Sequence, residues 1–350
     1  MKIAVEISPI GKNSDSAHKV RGVGAYINLL VKNLEKFDKK NEYVFVENRN
    51  FPQGVDLIHY PYFDPFFETL PNNIPQKFVV TIHDLTPLVF PEHFPSGIKG
   101  KLKWFGQRKK LSKADAIITD SECSKRDAIR IAGISEDKVI SVYLAADEQF
   151  KKLDKESWVS DFRKKYNLPD EFLLYVGDAT WNKNLPRLIE AVRNTTYPLI
   201  MVGKVWGGSV SEVTRNPWNR DLIKVLKKIE SDKQFIRLGF VPTEDLIKIY
   251  NLADGLLMPS FYEGFGLPVL EAMSSGCPVI CSKSGSLPEV AGDAVYYIEP
   301  TDTESIVEGI QSVISSPSLR SELSDKGLAQ AKKFSIKNMI ENTVKAYESA

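Results

Sequence analysis

The chain has 350 residues, of which 43% are hydrophobic and 26% charged, and its net charge is +1. This composition is ordinary for a globular protein and excludes wholesale disorder, collagen and coiled coil, while the balanced charge gives no general indication of nucleic-acid binding. Because a single core stops growing at about 250–300 residues, the length predicts two domains.

The chain starts with the apolar run MKIAVEISPI, which Glu6 interrupts, and this pattern predicts a β-strand rather than a signal peptide. No uncharged apolar stretch is long enough to span a membrane. The three cysteines are an odd, sparse set that fits a reducing compartment. We therefore expect a cytoplasmic protein.

Short apolar runs alternate with segments of helical periodicity in the first half of the chain. The predicted strands are Ile3–Ile7, Tyr43–Glu47, Leu57–Tyr60, Phe78–Ile82, Ala116–Thr119 and Val139–Val142. Helices are predicted from about Gly24 to Phe37 and over Ser124–Ala132. This βαβ alternation predicts a mostly parallel sheet with helices on both faces.

The same pattern restarts after a charge-rich segment, Glu148–Lys165, that has little strand signal. The predicted strands are Phe172–Val176, Leu199–Val202, Ile236–Leu238, Gly255–Met258, Val279–Cys281 and Val295–Ile298. We therefore predict an α/β fold of two Rossmann-like, doubly wound domains, residues 1–165 and 166–334, facing each other across a cleft. In such sheets, ligands bind outside the carboxyl ends of the strands.

The segment Ser260–Met273 carries the most informative loop, because it follows an apolar strand and enters a helix. Gly264 and Gly266 leave backbone N–H groups accessible to a ligand. Pro268 suits the first helical position. The positive end of the helix dipole then makes the loop a candidate anion site.

Two carboxylates flank this loop: Glu263 before it and Glu271 in the predicted first helical turn. A carboxylate accepts hydrogen bonds from two hydroxyls at once, so the pair could hold the sugar and ribose hydroxyls on either side of a diphosphate. A nucleotide sugar has this layout. The alternative is an ordinary strand-to-helix turn with a dipole-stabilising Glu271.

Three further loops carry candidate residues. Lys183, in the strand-to-helix loop 175–184, can place a positive charge on a diphosphate; the alternative is a solvated lysine. Arg21–Tyr26 contains Gly22 and Gly24 but lacks the third glycine of a dinucleotide fingerprint. His83 follows the strand Phe78–Ile82, at an edge where ligands bind.

The spacing Glu263-x7-Glu271 within PSFYEGFGLPVLEAM resembles the signature of the retaining GT-B glycosyltransferases of family 4, also called glycosyl transferases group 1. GCPVICSKSGSLPEVAGDA and RLGFVPTEDLIKIYNLADGLLMPS extend the resemblance around it, and RGVGAYINLL, VVTIHDLTPLVFPE and ADAIITDSECSKRDAI resemble the N-terminal half in type and order. The end of the chain, residues 335–350, resembles the closing helix, which would return to the N-terminal domain.

The resemblance implies roles for individual residues. Glu263 would contact the hydroxyls of the donor sugar, Glu271 the ribose, and the segment around Phe240 and Val241 would flank the base. His83 would support the sugar and acceptor side by orientation and charge. The catalytic residues are then His83, Lys183 and Glu263, and the donor-binding residues are Gly22, Gly24, Asn182, Val241, Gly264, Phe265, Gly266, Leu267, Pro268 and Glu271.

Two positions depart from the family pattern: Asn182 stands where arginine is usual, and Asp178 where many relatives have a basic residue. The family's mechanism implies front-face attack, in which the leaving diphosphate helps to deprotonate the acceptor. No Asp-x-Asp pair occurs in the sequence, so we expect neither a metal nor a cofactor. The donor would be a nucleoside diphosphate sugar.

We therefore expect a retaining, metal-independent transfer of a hexose to a glycan or lipid-linked acceptor. GDP-mannose is the first candidate donor on general resemblance, with UDP-glucose, UDP-N-acetylglucosamine and UDP-galactose open. Two alternatives stay open: a nucleotide-sugar epimerase of the same architecture, and a catalytically inactive nucleotide-sugar-binding protein, which the missing arginine at Asn182 favours.

The segment Lys99–Lys113 contains seven basic residues and no acidic one, with Leu102, Trp104 and Phe105 among them. A basic helix with aromatic residues can lie on an anionic membrane, so this segment is a candidate for peripheral contact with the cytoplasmic membrane face. The alternative is a solvated surface helix.

Overall fold

The computed structural model describes residues 1–11, 22–154, 157–208, 218 and 220–350. It divides into two compact units, one made of Met1–Asp147 with Phe334–Ala350 and the other of Glu148–Lys333. Each unit contains one six-stranded sheet in which all paired strands are parallel. The prediction of two Rossmann-like α/β domains is confirmed.

The first unit has its strands in the order β2-β1-β3-β4-β5-β6. Their bounds are β1 Lys2–Glu6, β2 Glu42–Val46, β3 Leu57–Tyr60, β4 Lys77–Ile82, β5 Ala116–Thr119 and β6 Val139–Ser141. The helices are α1 Gly22–Phe37, α2 Thr86–Val89, α3 Gly97–Leu111 and α4 Glu122–Asp127, with short turns at Ser8–Ile10, Ala128–Ala132 and Glu136–Lys138. Strands β3 and β5 are buried along their whole length, as expected of parallel strands covered on both faces.

The second unit has the order β12-β11-β10-β7-β8-β9. Its strands are β7 Leu173–Val176, β8 Leu199–Val202, β9 Phe235–Gly239, β10 Gly255–Met258, β11 Val279–Ser282 and β12 Tyr296–Ile298. Its helices are α5 Val159–Tyr166, α6 Leu185–Arg193, α7 Arg220–Ile229, α8 Thr243–Leu252, α9 Leu267–Ser274, α10 Leu287–Ala291, α11 Thr303–Ser315 and α12 Pro317–Ala331, with short turns at Trp181–Lys183 and Lys204–Gly207.

The boundary between the units lies at Asp147/Glu148, whereas the sequence placed it at 165/166. The intervening residues bond to the second unit. Asn251 joins them on helix α8, since its Nδ2 donates to the Lys151 carbonyl at 2.9 Å and its Oδ1 accepts from the Leu153 N–H at 2.8 Å. High charge content therefore marked a surface segment of the second unit, and not a linker.

The last helix, α13 (Ile336–Ser349), packs against α1 and β5 of the first unit. Its buried Tyr347 hydroxyl lies 2.8 Å from Nδ1 of His59, and the His59 Nε2 lies 2.8 Å from the Thr81 hydroxyl. Burial lowers the pKa of His59 to about 3, so this histidine is neutral near pH 7. A polar network in the core thus holds the helix on the first unit.

Within the described ranges, no helix is both long and apolar enough to cross a membrane.

Candidate functional site

The strand order of the second unit directs two loops to the same place. Strands β7 and β10 are parallel neighbours, and the strand order changes direction between them: β8 and β9 follow on one side, and β11 and β12 on the other. Loop 177–184 follows β7 and loop 259–266 follows β10. Ligands of open parallel sheets bind outside the carboxyl ends of strands at such a reversal, so these two loops form the candidate site.

Lys183 and Glu263 meet between these loops. The Lys183 ammonium donates to both carboxylate oxygens of Glu263, at 2.8 Å to Oε1 and 2.7 Å to Oε2. The Ser260 hydroxyl donates to Oε1 at 2.6 Å. The side chains of Lys183 and Glu263 are 17% and 8% exposed, so little water screens the pair. The structure therefore brings together the predicted lysine and the predicted sugar-binding carboxylate.

Asn182 joins the two loops. Its Nδ2 donates to the Tyr262 carbonyl at 2.9 Å, and its own carbonyl accepts from the Phe261 N–H at 2.7 Å. The Thr180 hydroxyl donates to its Oδ1 at 2.7 Å. The residue that replaces the family's arginine therefore positions the loop that carries Glu263 and supplies no cation.

Asn184 adds a second link that sequence reasoning missed. It adopts the left-handed conformation with φ 55°, which asparagine tolerates better than most residues. Its Nδ2 donates to the carbonyls of Pro259 and Pro300, at 3.1 and 2.6 Å. The asparagine after Lys183 was visible in the sequence as a possible cap, but its distant carbonyl partners were not.

Gly285 and Ser286 contact the backbone of Glu263. The carbonyl of Glu263 accepts from the Ser286 N–H at 3.2 Å and from its hydroxyl at 3.0 Å. Gly285 has φ +59°, and a Cβ there would lie 2.7 Å from the Glu263 carbonyl oxygen. The GSLPEV segment therefore supports the site through close backbone approach.

The glycine-rich loop leads into α9 as predicted. Gly266 precedes the helix with φ +96°, and a Cβ there would lie 2.6 Å from the Leu287 side chain. Leu267 and Pro268 begin the helix, while Gly264 and Phe265 are buried before it. Pro268 has no N–H and the Val269 N–H donates to the Gly266 carbonyl at 2.9 Å, so what this helix start offers an anion is the positive end of its dipole.

Glu271 lies in the second turn of α9, and not in the first turn as the sequence analysis expected. The buried Tyr250 hydroxyl of α8 donates to Glu271 Oε2 at 3.0 Å. This bond joins α8 to α9 and fixes the Glu271 carboxylate. A glutamate that only stabilised the helix dipole would not need such a bond. Val241 is buried and Phe240 is 57% exposed, and both follow the carboxyl end of β9.

His83 belongs to the first unit, where it follows β4. Its Nδ1 lies 2.7 Å from the Asp120 carboxylate and its Nε2 lies 3.0 Å from the Pro61 carbonyl. Burial opposes protonation, but the Asp120 carboxylate outweighs it and raises the pKa of His83. Each ring nitrogen of the buried His83 therefore has a partner within its own unit.

Gly22 and Gly24 lie in the first turn of α1, which begins earlier than the predicted start near Gly24. Gly24 is buried, and a Cβ at Gly22 would meet open space. Arg21, the first residue of that motif, lies outside the described residues. The two glycines therefore form a helix start rather than an open loop.

The family model described as Glycosyl transferases group 1 matches residues 157–330. The model described as Glycosyltransferase Family 4 matches residues 20–150. Together these matches cover both units.

The chain is 33% identical over 302 residues to the O-antigen chain mannosyltransferase B of Escherichia coli, an alignment that covers 84% of this chain and 75% of that relative. It is 31% identical over 283 residues to the serotype-specific mannosyltransferase WbdA of Escherichia coli. That alignment covers 79% of this chain but only 34% of WbdA, so the chain spans about a third of that longer relative.

Solved structures share the fold at low identity. Anabaena HepE in complex with UDP-glucose is similar with a TM-score of 0.73 at 17% identity, over 100% of both chains. Sucrose-phosphate synthase from Thermosynechococcus elongatus is similar with a TM-score of 0.73 at 17% identity, over 99% of this chain and 98% of that one. The matched family model, the identity to mannosyltransferase B and the shared fold lead to one conclusion: this chain belongs to the glycosyl transferases group 1 family.

Proposed function

We propose that the chain is a retaining, metal-independent hexosyltransferase that moves mannose from a nucleoside diphosphate sugar, GDP-mannose first, to a glycan or lipid-linked acceptor. The observation that carries the proposal is the Lys183–Glu263 pair at the carboxyl ends of β7 and β10. The choice of mannose rests on the names of the Escherichia coli relatives, which are mannosyltransferases.

Donor binding exchanges partners in this pair. Without donor, Lys183 and Glu263 neutralise each other. When a diphosphate enters, the ammonium moves to a phosphate oxygen and the carboxylate becomes free to accept hydrogen bonds from sugar hydroxyls. The positive end of the α9 dipole faces the second phosphate, and Glu271, held by Tyr250, accepts from the ribose. Val241 and Phe240 flank the base.

In the transfer step, the bond between the anomeric carbon and the diphosphate oxygen breaks while the acceptor hydroxyl oxygen bonds to the same face of that carbon. The hydroxyl proton passes to the leaving diphosphate oxygen. Lys183 and the positive end of the α9 dipole stabilise the charge that develops on the diphosphate, without a metal or a further cofactor. The buried His83, held by Asp120 and the Pro61 carbonyl, supports the acceptor side by its fixed position and by the charge that it carries when it is protonated.

Transfer of labelled mannose from GDP-mannose by the purified chain tests the proposal, with the product anomer read by NMR. The double variant Lys183→Met/Glu263→Gln removes both charges together, so that neither is left buried and unpaired. We expect retention of configuration and at least about a hundredfold loss of rate in the double variant, because each donor to a developing oxyanion contributes this much.

Lys165→Met is the control. Lys165 forms an ion pair of the same 2.7 Å length with Asp245 in the same unit and belongs to neither loop. Asp245 keeps its bond from the Tyr166 hydroxyl at 2.6 Å when the lysine is removed, so transfer should be unchanged. An inverted product would contradict the retaining mechanism. Donor binding without transfer to any acceptor would favour the inactive binding protein, and conversion of the donor sugar into its epimer would favour the epimerase.

We also propose that α3 makes peripheral contact with an anionic membrane. Its apolar side chains Ile98, Leu102 and Phe105 are 80, 69 and 73% exposed, and they follow one another at the spacing of one helix face. The opposite face buries Gly100, Gln107 and Leu111. The partly buried Trp104 packs against the core, so the contact depends on the exposed stripe and its lysines.

A further inference from the structure

The first unit holds a cavity of about 470 Å³ at the carboxyl ends of β1, β2 and β3. Its lining includes Glu6, Ser8, Asn48, Arg49, Tyr62 and Glu68. The strand order β2-β1-β3 places the reversal of this sheet between β1 and β3, so the cavity lies where open parallel sheets bind ligands. Its volume is that of a small-molecule site.

The chemistry of the lining favours a neutral polyhydroxylated ligand. Two carboxylates, Glu6 and Glu68, and one guanidinium, Arg49, line the cavity together with Ser8 and Tyr62. The Ser8 hydroxyl oxygen accepts from the Asn48 N–H at 2.7 Å, and the Tyr62 hydroxyl donates to Asp64 at 3.2 Å. The formal charge of these groups is negative, which opposes a phosphate or a nucleotide. Carboxylates accept from hydroxyls and guanidinium donates to them, so a sugar satisfies both kinds of group.

The Arg49 guanidinium uses some of its N–H groups in hydrogen bonds within the protein. Its Nη2 donates to the carbonyls of Glu68 and Thr69, at 3.1 and 2.9 Å. These bonds fix the planar guanidinium beside the cavity, which lowers the entropy that a ligand must overcome. Glu6 is also fixed, because its Oε1 accepts from the Ser8 N–H at 3.2 Å. Burial raises the pKa of Glu6.

The backbone at this cavity is strained. Asn48 and Arg49 are consecutive non-glycine residues with φ 56° and 59°, and the left-handed conformation costs a residue such as arginine about 1–2 kcal/mol. The Asn48 N–H donates to the Ser8 hydroxyl oxygen at 2.7 Å, which helps to hold this conformation. Such strain concentrates at ligand sites, where the side chain is needed in one position.

We propose that this cavity is a subsite for a neutral sugar residue of the acceptor glycan. Tyr62 offers an aromatic ring to the apolar face of a pyranose, while Glu6, Glu68 and Arg49 bond its hydroxyls. The assignment rests on the proposed transferase function, and it adds that the acceptor is recognised through sugar hydroxyls and not through a phosphate.

Saturation-transfer NMR with mannotriose, and separately with inorganic phosphate, tests the subsite without requiring turnover. We expect signal transfer to mannotriose in the wild-type chain, and at least about tenfold weaker binding in Glu68→Gln, because hydrogen bonds to charged groups are worth this much. Phosphate should not compete. Glu92→Gln, an exposed residue of the same unit that does not line the cavity, is the control.

The transfer assay then separates the two proposals. In an active chain, Glu68→Gln should raise KM for the acceptor about tenfold and leave KM for the donor within twofold. Unchanged acceptor KM and unchanged mannotriose binding would overturn the subsite while transfer itself stands. Mannotriose binding that depends on Glu68, in a chain that transfers no sugar, would support the subsite and contradict the transferase. Competition by phosphate would also overturn the subsite.

Discussion

In the function that we propose, Lys183 and Glu263 have opposite tasks before and during donor binding. Their bidentate ion pair keeps two nearly buried charges compensated, since an isolated charge in that position would be costly. A diphosphate sugar offers each group a new partner of the right sign. The pair therefore makes donor binding an exchange of partners, so removing one charge harms the fold more than removing both.

The close contact between Gly285 and the backbone of Glu263 can be tested by a substitution. In Gly285→Ala, the new Cβ would lie 2.7 Å from the Glu263 carbonyl oxygen and 2.8 Å from its nitrogen, so the backbone of Glu263 must shift. We expect a loss of transfer rate of about a hundredfold, the usual effect of displacing a positioned group by about 1 Å. The rate with GDP-mannose and the free energy of unfolding measure the two effects separately.

Gly54→Ala is the matched control. Gly54 also has positive φ, at +77°, but a Cβ there would meet open space. It should cost about 1–2 kcal/mol of stability from backbone strain alone and leave transfer unchanged. Equal rates in the two variants would contradict the role that we assign to the contact between Gly285 and Glu263.

The sequence indicates that the loops carrying the candidate residues share one sheet edge, but it does not indicate which residues support them. Lys183 and Glu263 each stand in a loop after an apolar strand, and parallel strands bring such loops to one edge. Asn182 reads only as a missing cation, because its bond to the Tyr262 carbonyl joins positions eighty residues apart. Gly285 carries no local sign that it must touch Glu263. Supports of this kind depend on tertiary contacts that no local pattern encodes.

At the scale of elements, α3 shows how a helix can have apolar residues on opposite faces. One face packs Gly100 and Leu111 into the unit, and the other exposes the stripe of Ile98, Leu102 and Phe105. Lysines flank the stripe, and the sequence of this helix contains no acid. The periodicity of the basic residues alone does not separate a solvated helix from a membrane-binding one; the exposed stripe favours the second.

Flotation with vesicles tests the membrane contact. The chain should bind phosphatidylglycerol vesicles and not pure phosphatidylcholine vesicles. Ile98→Ser/Leu102→Ser/Phe105→Ser should weaken binding at least about tenfold, because the apolar area that enters the interface is lost. Lys99→Gln/Lys101→Gln/Lys103→Gln should weaken it about a hundredfold, at roughly 1 kcal/mol per lysine near an anionic surface.

The exposed lysines of the second unit provide a control of equal charge. Lys227→Gln/Lys228→Gln/Lys233→Gln changes the net charge by the same amount outside α3 and should leave binding unchanged. Equal weakening by both lysine variants would mean that vesicles respond to net charge alone. Unchanged vesicle binding in Ile98→Ser/Leu102→Ser/Phe105→Ser would contradict our assignment of the contact to α3.

The strands were predicted more accurately than the helix starts. Parallel strands buried on both faces, such as β5 and β10, appear in the sequence as unbroken apolar runs between turn residues. The start of α9 at Leu267 leaves Glu271 in the second turn, one turn from its expected place. Helix ends depend on capping and neighbouring loops, which are read less reliably from the sequence.

At the scale of the molecule, two units of similar architecture carry different chemistry. The second unit holds the Lys183–Glu263 pair and the start of α9. The first holds the buried His83–Asp120 pair and the polar cavity beside Arg49. The alternation of apolar runs and helical segments predicted both units. The segment 148–165 was assigned to the first unit, although it belongs to the second, because composition gives no sign of its bonds to Asn251.

The proposed function requires that the two loops of the second unit bind a nucleoside diphosphate sugar through Lys183 and Glu263. Calorimetric titration of GDP-mannose, GDP, UDP-glucose and UDP into the wild-type chain tests it most directly, with thermal unfolding in parallel. A ligand at a hundred times its Kd stabilises the native state by about 2.7 kcal/mol, and this shift should be seen with GDP-mannose.

The same titration in Lys183→Met/Glu263→Gln and in the control Lys165→Met decides the outcome. We expect saturable binding of GDP-mannose to the wild type and to Lys165→Met. Binding to the double variant should be at least about a hundredfold weaker, since two charge-assisted contacts are lost. Equal affinity of all three proteins for GDP-mannose, or no binding of any nucleotide of the panel to the wild type, would contradict the proposed function.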